Sequence, residues 1–276
     1  MCAHHSLLAN AAAYHLYKEK YFDVQRGQVG ICLHSTFNYP RDETVDQSVA
    51  ERATEFDLGL FADPIFSSNG GYPQVMIDMI GKKSKAEGRH RSRLPVMTPA
   101  VRDYIKGSAD FLALNYYTSS LVTNKEEDPS DPISWASDSN TNVHRDPLWK
   151  RAKSEWLFSV PQGLHDLLVW IKERYDNPTV MITENGWSDE GEIEDDDRVD
   201  YLKAHLAAVS TAITEKNCKV IGYTVWSLTD NLEWSRGFTE RFGIHCIDFN
   251  STDKTRVPKK SAKFFKEFMK SKSFVI

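Results

Sequence analysis

The sequence predicts a parallel α/β fold, and three observations carry that prediction. Segments with helical apolar spacing alternate with short β-branched runs along the chain, the pattern of repeated βα units. At 41% hydrophobic and 26% charged, with 14 Gly and 11 Pro, the 276 residues have an ordinary globular composition and should fold around a real core. The connections between strands are long and polar, as where loops carry function.

Residues 3–22 place Leu7, Leu8, Ala11, Ala12, Tyr14 and Leu16 at helical spacing with few breakers. Gly27-Gln28 then leads into a buried strand, Val29-Gly30-Ile31-Cys32-Leu33. Helical segments near 47–61 and 99–106 precede a second strand over 110–117, and an amphipathic helix over 161–176 precedes a third over 179–183. Helix 197–216 precedes the fourth strand, 220–226; Phe242–Phe249 reads as a short pair-like stretch, and helix 258–270 comes last. Only these four strands are of barrel type, half of what a closed eight-stranded barrel needs. The connection over 124–158 has no apolar period and reads as a structureless loop.

Charge and composition narrow the function classes. With 34 Lys+Arg against 39 Asp+Glu, the net charge of -5 argues against nucleic acid as the main partner. No stretch approaches the ~20 apolar residues of a membrane span. The opening Met1-Cys2-Ala3-His4-His5 lacks the basic head and apolar run of a signal peptide. The compartment is open, with secretion of a longer form compatible with the Asn250-Ser251-Thr252 sequon. Cys2, Cys32, Cys218 and Cys246 have no CxxC spacing and read as free thiols. The acidic run Glu190–Asp197 reads as a solvated helix start, and the basic stretch Lys82–Arg93 as a solvated surface. No metal-ligand set, phosphate loop or GxSxG elbow emerges, so no cofactor is expected.

Three places could carry chemistry. Thr183-Glu184-Asn185-Gly186 closes an apolar strand, setting Glu184 at the carboxyl end, where parallel barrels gather their active sites. Strict alternation puts Val180, Ile182 and Glu184 on one face, the side a barrel turns inward. The same tetrapeptide also reads as an Asn-Gly turn beside a solvated Glu. Asn115 and Tyr117 stand two apart at another strand end and offer an amide and a phenolic donor to a carboxylate or sugar hydroxyl; a packed aromatic ladder is the alternative. After the last strand, Trp226-Ser227-Leu228-Thr229-Asp230-Asn231-Leu232-Glu233-Trp234 holds two indoles and a carboxylate in one loop. Indoles suit the C–H faces of sugar rings or a core, and Glu233 could accept two hydroxyls of one ring.

Ile182-Thr183-Glu184-Asn185-Gly186, followed by the Val225–Trp234 segment, resembles the family 1 glycoside hydrolases, the β-glucosidase and thioglucosidase group. Phe61-Ala62-Asp63-Pro64-Ile65-Phe66, Arg93-Leu94-Pro95, Lys106-Gly107-Ser108-Ala109-Asp110-Phe111 and Arg241-Phe242-Gly243-Ile244 look like family segments in family order. The resemblance implies a (β/α)8 TIM barrel of which residues 1–276 are roughly the second half, a single glycoside hydrolase domain truncated on its amino-terminal side. It makes Glu184 the catalytic nucleophile, with Tyr117 bonded to it and Asn115 lining the same subsite. Trp226, Glu233, Trp234 and Phe242 match positions that bind the glycone or floor its subsite.

The family's acid/base lies in a Thr-x-Asn-Glu-Pro motif, which does not occur in residues 1–276; Asn38-Tyr39-Pro40 carries no carboxylate and is no substitute. The expected activity is therefore retaining hydrolysis of a β-glucoside or related small glycoside by a longer chain. The alternative is a catalytically inactive truncated isoform with a residual sugar-binding or interaction role.

Overall fold

The computed structural model describes residues 1–128 and 130–271. The chain opens with α1 (Cys2–Lys20) and a single turn α2 (Phe22–Gln25), then β1 (Gly30–His34) and β2 (Phe37–Pro40). A helical stretch follows, α3 (Gln47–Thr54), a π-helical segment at Glu55–Gly59, α4 (Leu60–Phe66), α5 (Gln74–Ala86) and α6 (Pro99–Ile105). β3 (Phe111–Asn115) and β4 (Ser119–Asn124) lead through α7 (Trp135–Asp138) to β5 (Thr141–His144). After α8 (Pro161–Arg174), β6 (Val180–Gly186), α9 (Asp196–Thr214) and β7 (Val220–Trp226), the chain ends in β8 (His245–Ile247), β9 (Arg256–Pro258) and α10 (Lys260–Ser271).

Local chemistry sets several of these boundaries. Thr98 caps α6 by accepting from the Val101 N–H, with Pro99 in the first turn, where its missing N–H costs no helical bond. Pro161 opens α8 in the same way, and Lys172 and Arg174 sit in its last turn, where cations meet the negative end of the helix dipole. Asp196 and Asp197 occupy the first turn of α9. The preceding Asp195 departs from the solvated reading: it is buried, and the fully buried Arg198 guanidinium bridges it to Asp189, at 2.7 Å from the latter. The basic stretch is largely exposed, as expected, and forms ion pairs there, Lys82 with Glu127 and the more covered Arg93 with Glu87 and Asp138.

The strands β1-β3-β6-β7 form a parallel four-stranded sheet in that order, the four barrel-type strands expected. Helices cover one face only. Leu164, Leu167, Leu168 and Ile171 of α8 and Val209 and Ala212 of α9 pack on Leu33, Leu112, Leu114, Val180 and Ile182. Val180 and Ile182 thus face the helices, not the barrel interior, which overturns the alternation drawn from the sequence. A β-bulge is the reason. Leu114 and Asn115 of β3 pair with Ile182 and Glu184, and Tyr223 and Val225 of β7 with Ile182 and Asn185, so β6 carries one extra residue against both neighbours. The extra residue reverses the facing of everything after it.

The 124–158 connection is not structureless. β5 pairs antiparallel with β4, β4 pairs parallel with β2, and Ser134 with Ser137 forms a capping box on α7. Val143 is exposed in β5, which leaves no apolar alternation to read. The stretch near 242–249 contributes β8, paired with β9 in a two-stranded ribbon. All four cysteines are free. Among the described residues no helix is long and apolar enough to cross a membrane, and no group of His, Cys, Asp and Glu could hold a metal ion.

Candidate active site

The site forms at the carboxyl ends of β3, β6 and β7. Because β3 has no bulge, Asn115 and Tyr117 keep the common face that their spacing predicts, while Leu114 and Tyr116 pack in the helix-covered core. The bulge in β6 turns Glu184 to that same open face. The Tyr117 hydroxyl then donates to Glu184 Oε2 at 2.8 Å. Burial, followed by the adjoining Glu184 carboxylate, pushes the Tyr117 phenol far above its ordinary range, so it stays protonated and a donor.

Asn115 is held from below. Thr183 Oγ1 donates to its Oδ1 at 2.6 Å and Cys32 Sγ to the same oxygen at 3.2 Å, so the amide keeps Nδ2 free for another acceptor.

From β7, Trp226 lies beside Gly186 in the ladder, and its indole N–H reaches Glu233 Oε1 at 3.4 Å. A methyl group on Gly186 would sit 1.8 Å from the Trp226 carbonyl oxygen, so only glycine permits this approach. The Trp226–Ser227 peptide bond is cis. Glu233 is buried, and burial raises its carboxyl above the usual range; the Trp226 N–H opposes the rise, and Glu240 and Glu184 add to it. Phe242 is buried with its ring edge-on to Tyr117 at 6.1 Å. Glu184, Tyr117, Asn115, Trp226, Glu233 and Phe242 are therefore brought together. Trp234 is not: it is 91% exposed and adopts φ of 45° at the tip of the loop.

Two neighbours escaped the sequence reading. Trp156 stacks on Phe242 with ring centroids 6.4 Å apart and stands edge-on to Tyr117 at 5.6 Å, leaving an open indole at the mouth of the site. It lies in the stretch read as a structureless loop, where Trp156-Leu157-Phe158 was the unused apolar signal. His34 ends β1 in register with Asn115, with its ring 6.4 Å from Tyr117. Its place at the end of a parallel strand was the available sign.

The described geometry is a carboxylate with a fixed phenolic donor, an oriented amide, a second buried carboxylate and an aromatic wall. Such a set can present an attacking oxygen while binding hydroxyls and the apolar faces of a ring.

The chain is similar to several known proteins. The chain is 40% identical over 269 residues to Myrosinase 1 of Brevicoryne brassicae, covering 96% of this chain and 57% of that protein. It is 37% identical over 277 residues to the human Lactase-like protein, covering 99% of this chain and 48% of the relative. Thus the chain spans about half the length of the curated relatives it matches. Among solved structures, an aphid myrosinase superposes with a TM-score of 0.90 at 39% identity, over 97% of this chain and 58% of the other. A rice β-glucosidase superposes with a TM-score of 0.86 at 35% identity, over 96% and 56%. The four-stranded sheet is accordingly about half of a (β/α)8 TIM barrel. The profile of Glycosyl hydrolase family 1 matches residues 1–274, and the chain belongs to that family.

Proposed function

We propose that residues 1–276 are the carboxyl-terminal half of a retaining β-glycosidase that hydrolyses β-glucosides or related small glycosides, with Glu184 as nucleophile. The contact that carries this reading is the 2.8 Å bond from Tyr117 to Glu184 at the ends of adjacent parallel strands. A Glu184 oxygen attacks the anomeric carbon as the bond to the aglycone oxygen breaks, giving a glycosyl-enzyme. Water then attacks the same carbon, giving its proton back to the acid/base that protonated the leaving group, Glu184 leaves as carboxylate, and the two inversions give net retention. Asn115, Trp226, Glu233 and Phe242 hold the glycone. Trp234 joins them only if its loop turns inward from the exposed position described above. The proton for the leaving group comes from an acid/base outside residues 1–276, since no Thr-x-Asn-Glu-Pro motif lies within them.

The test is covalent labelling of the full-length protein with 2,4-dinitrophenyl 2-deoxy-2-fluoro-β-glucoside. Fluorine slows both steps, while the good leaving group keeps the first viable, so the intermediate accumulates. Peptide mapping should find the sugar on Glu184. A label on another carboxylate, or an inverted product by NMR, removes Glu184 from the role.

A further inference from the structure

Behind the catalytic face, the bulge leaves a gap in the ladder that side chains fill. Thr183 and Glu184 have no pairing partner on β7, whose register resumes only at Asn185 and Val225. The fully buried Asn185 closes the gap with its amide: Nδ2 donates to the Tyr116 carbonyl at 2.8 Å and to Tyr201 Oη at 2.9 Å, and Oδ1 accepts from Tyr223 Oη at 2.6 Å. Tyr201, buried on α9, donates its own O–H to the Tyr117 carbonyl at 2.6 Å. One amide and two phenols thus tie β3, β6, β7 and α9 at the residues adjoining Glu184 and Tyr117.

We propose that Asn185 and Tyr201 are positioning residues that fix the Glu184 and Tyr117 backbones relative to each other. This rests on the nucleophile assignment above. Asn185 is chained directly to Glu184, and Tyr201 grips the carbonyl of Tyr117, so both ends of the 2.8 Å Tyr117–Glu184 bond are anchored from the opposite side of the sheet. Tyr201→Phe removes two bonds at once, the one to the Tyr117 carbonyl and the one from Asn185, with no change in ring packing.

The experiment is saturation labelling of full-length protein with the same 2-fluoro glucoside, separating the limiting rate constant from the apparent dissociation constant. Ala212→Gly on α9 is the control, since it loosens the same helix without touching this network. Tyr201→Phe is expected to lower the limiting rate constant by ~10-fold or more, as misplaced reacting groups do, and to leave the dissociation constant within about threefold. Ala212→Gly should change neither, even at an equal loss of melting temperature. Should Tyr201→Phe fail to fold, Tyr223→Phe removes the donor to Asn185 Oδ1 and is read in the same way. Equal labelling rates in wild type and the Tyr variants, or an equal slowing by Ala212→Gly, overturns the proposal. Absence of label from wild-type Glu184 defeats the nucleophile assignment instead.

Discussion

Tyr117 reaches Glu184 because a single extra residue in β6 turns the carboxylate to the side on which β3 already presents the phenol. In the full-length protein, Tyr117→Phe removes a hydrogen bond to a charged acceptor, worth ~1.5–3 kcal/mol, so kcat/KM should fall by roughly 10- to 150-fold. Steady-state kinetics on an alkyl glucoside measure it, and an unchanged kcat/KM would place Tyr117 outside the reaction. Glu233 predicts a different pattern, since in the proposed role it binds sugar hydroxyls and not the reacting carbon. Glu233→Ala should change the ratios among glucoside, galactoside and fucoside rates, because a buried carboxylate discriminates against sugars that leave it unpaired. Rates and ratios both unchanged would exclude it from the subsite. At this scale the sequence was legible where motifs are dense. Glu184, Asn115, Tyr117, Trp226, Glu233 and Phe242 were singled out in the sequence and lie close together in the structure, whereas Trp156 was hidden among polar neighbours and Trp234 projects to solvent because nothing among the described residues covers it.

Among the elements, the four sheet strands and most of the helices between them followed from local patterning, because burial between sheet and helix demands it, whereas α5 at Gln74–Ala86 was not read. The bulge did not, since alternation presumes an unbroken pleat and the register of β6 depends on partners distant in the sequence, as with Asn115 paired to Glu184 and Asn185 to Val225. β5 was illegible for a related reason: it is an edge strand with solvent on its open side, so its side chains need no pattern. α9 carries a pH-dependent element. His205 is fully buried, its Nδ1 bonded to the Tyr201 carbonyl at 2.8 Å and its Nε2 without a partner, and burial lowers its pKa from 6.5 to about 3. Between those values the unfolded chain holds a proton on this ring and the folded chain does not. Stability from this residue is therefore complete above 6.5 and lost progressively as pH falls toward 3, at ~1.4 kcal/mol per unit, or ~2 kcal/mol by pH 5. Urea unfolding of the full-length protein at pH 7 and pH 5 should show that loss in wild type and not in His205→Phe; parallel losses in both would refute it.

For the molecule as a whole, the consequence is an open sheet. β1 and β7 each lie at an edge of the order β1-β3-β6-β7, and on the face away from the helices Cys32 and His34 remain exposed. Leu228, Leu232, Trp234 and Phe238 add exposed apolar area in the loops after β7, beside Ile221 on that edge strand. Val180 and Ile182, expected on the bare face, are covered by α8 and α9, so the exposed surface is polar near β1 and apolar mainly around β7 and its loop. Unpaired edges and apolar loops invite association, and an eight-stranded barrel removes both by closure. Residues 1–276 expressed alone should therefore aggregate or unfold without cooperativity and should turn over no alkyl glucoside. Loss of the general acid alone costs ~10²–10⁴ in rate. Co-expression with a chain carrying the preceding four βα units should restore solubility first, by pairing β1 and β7, and Glu184-dependent hydrolysis second, by supplying the acid. Size-exclusion chromatography and near-UV circular dichroism read the first effect, and an alkyl glucoside assay beside Glu184→Gln reads the second. A monodisperse, cooperatively folding monomer of residues 1–276 with Glu184-dependent turnover on its own would show that neither edge needs a partner and that the proton comes from within this chain.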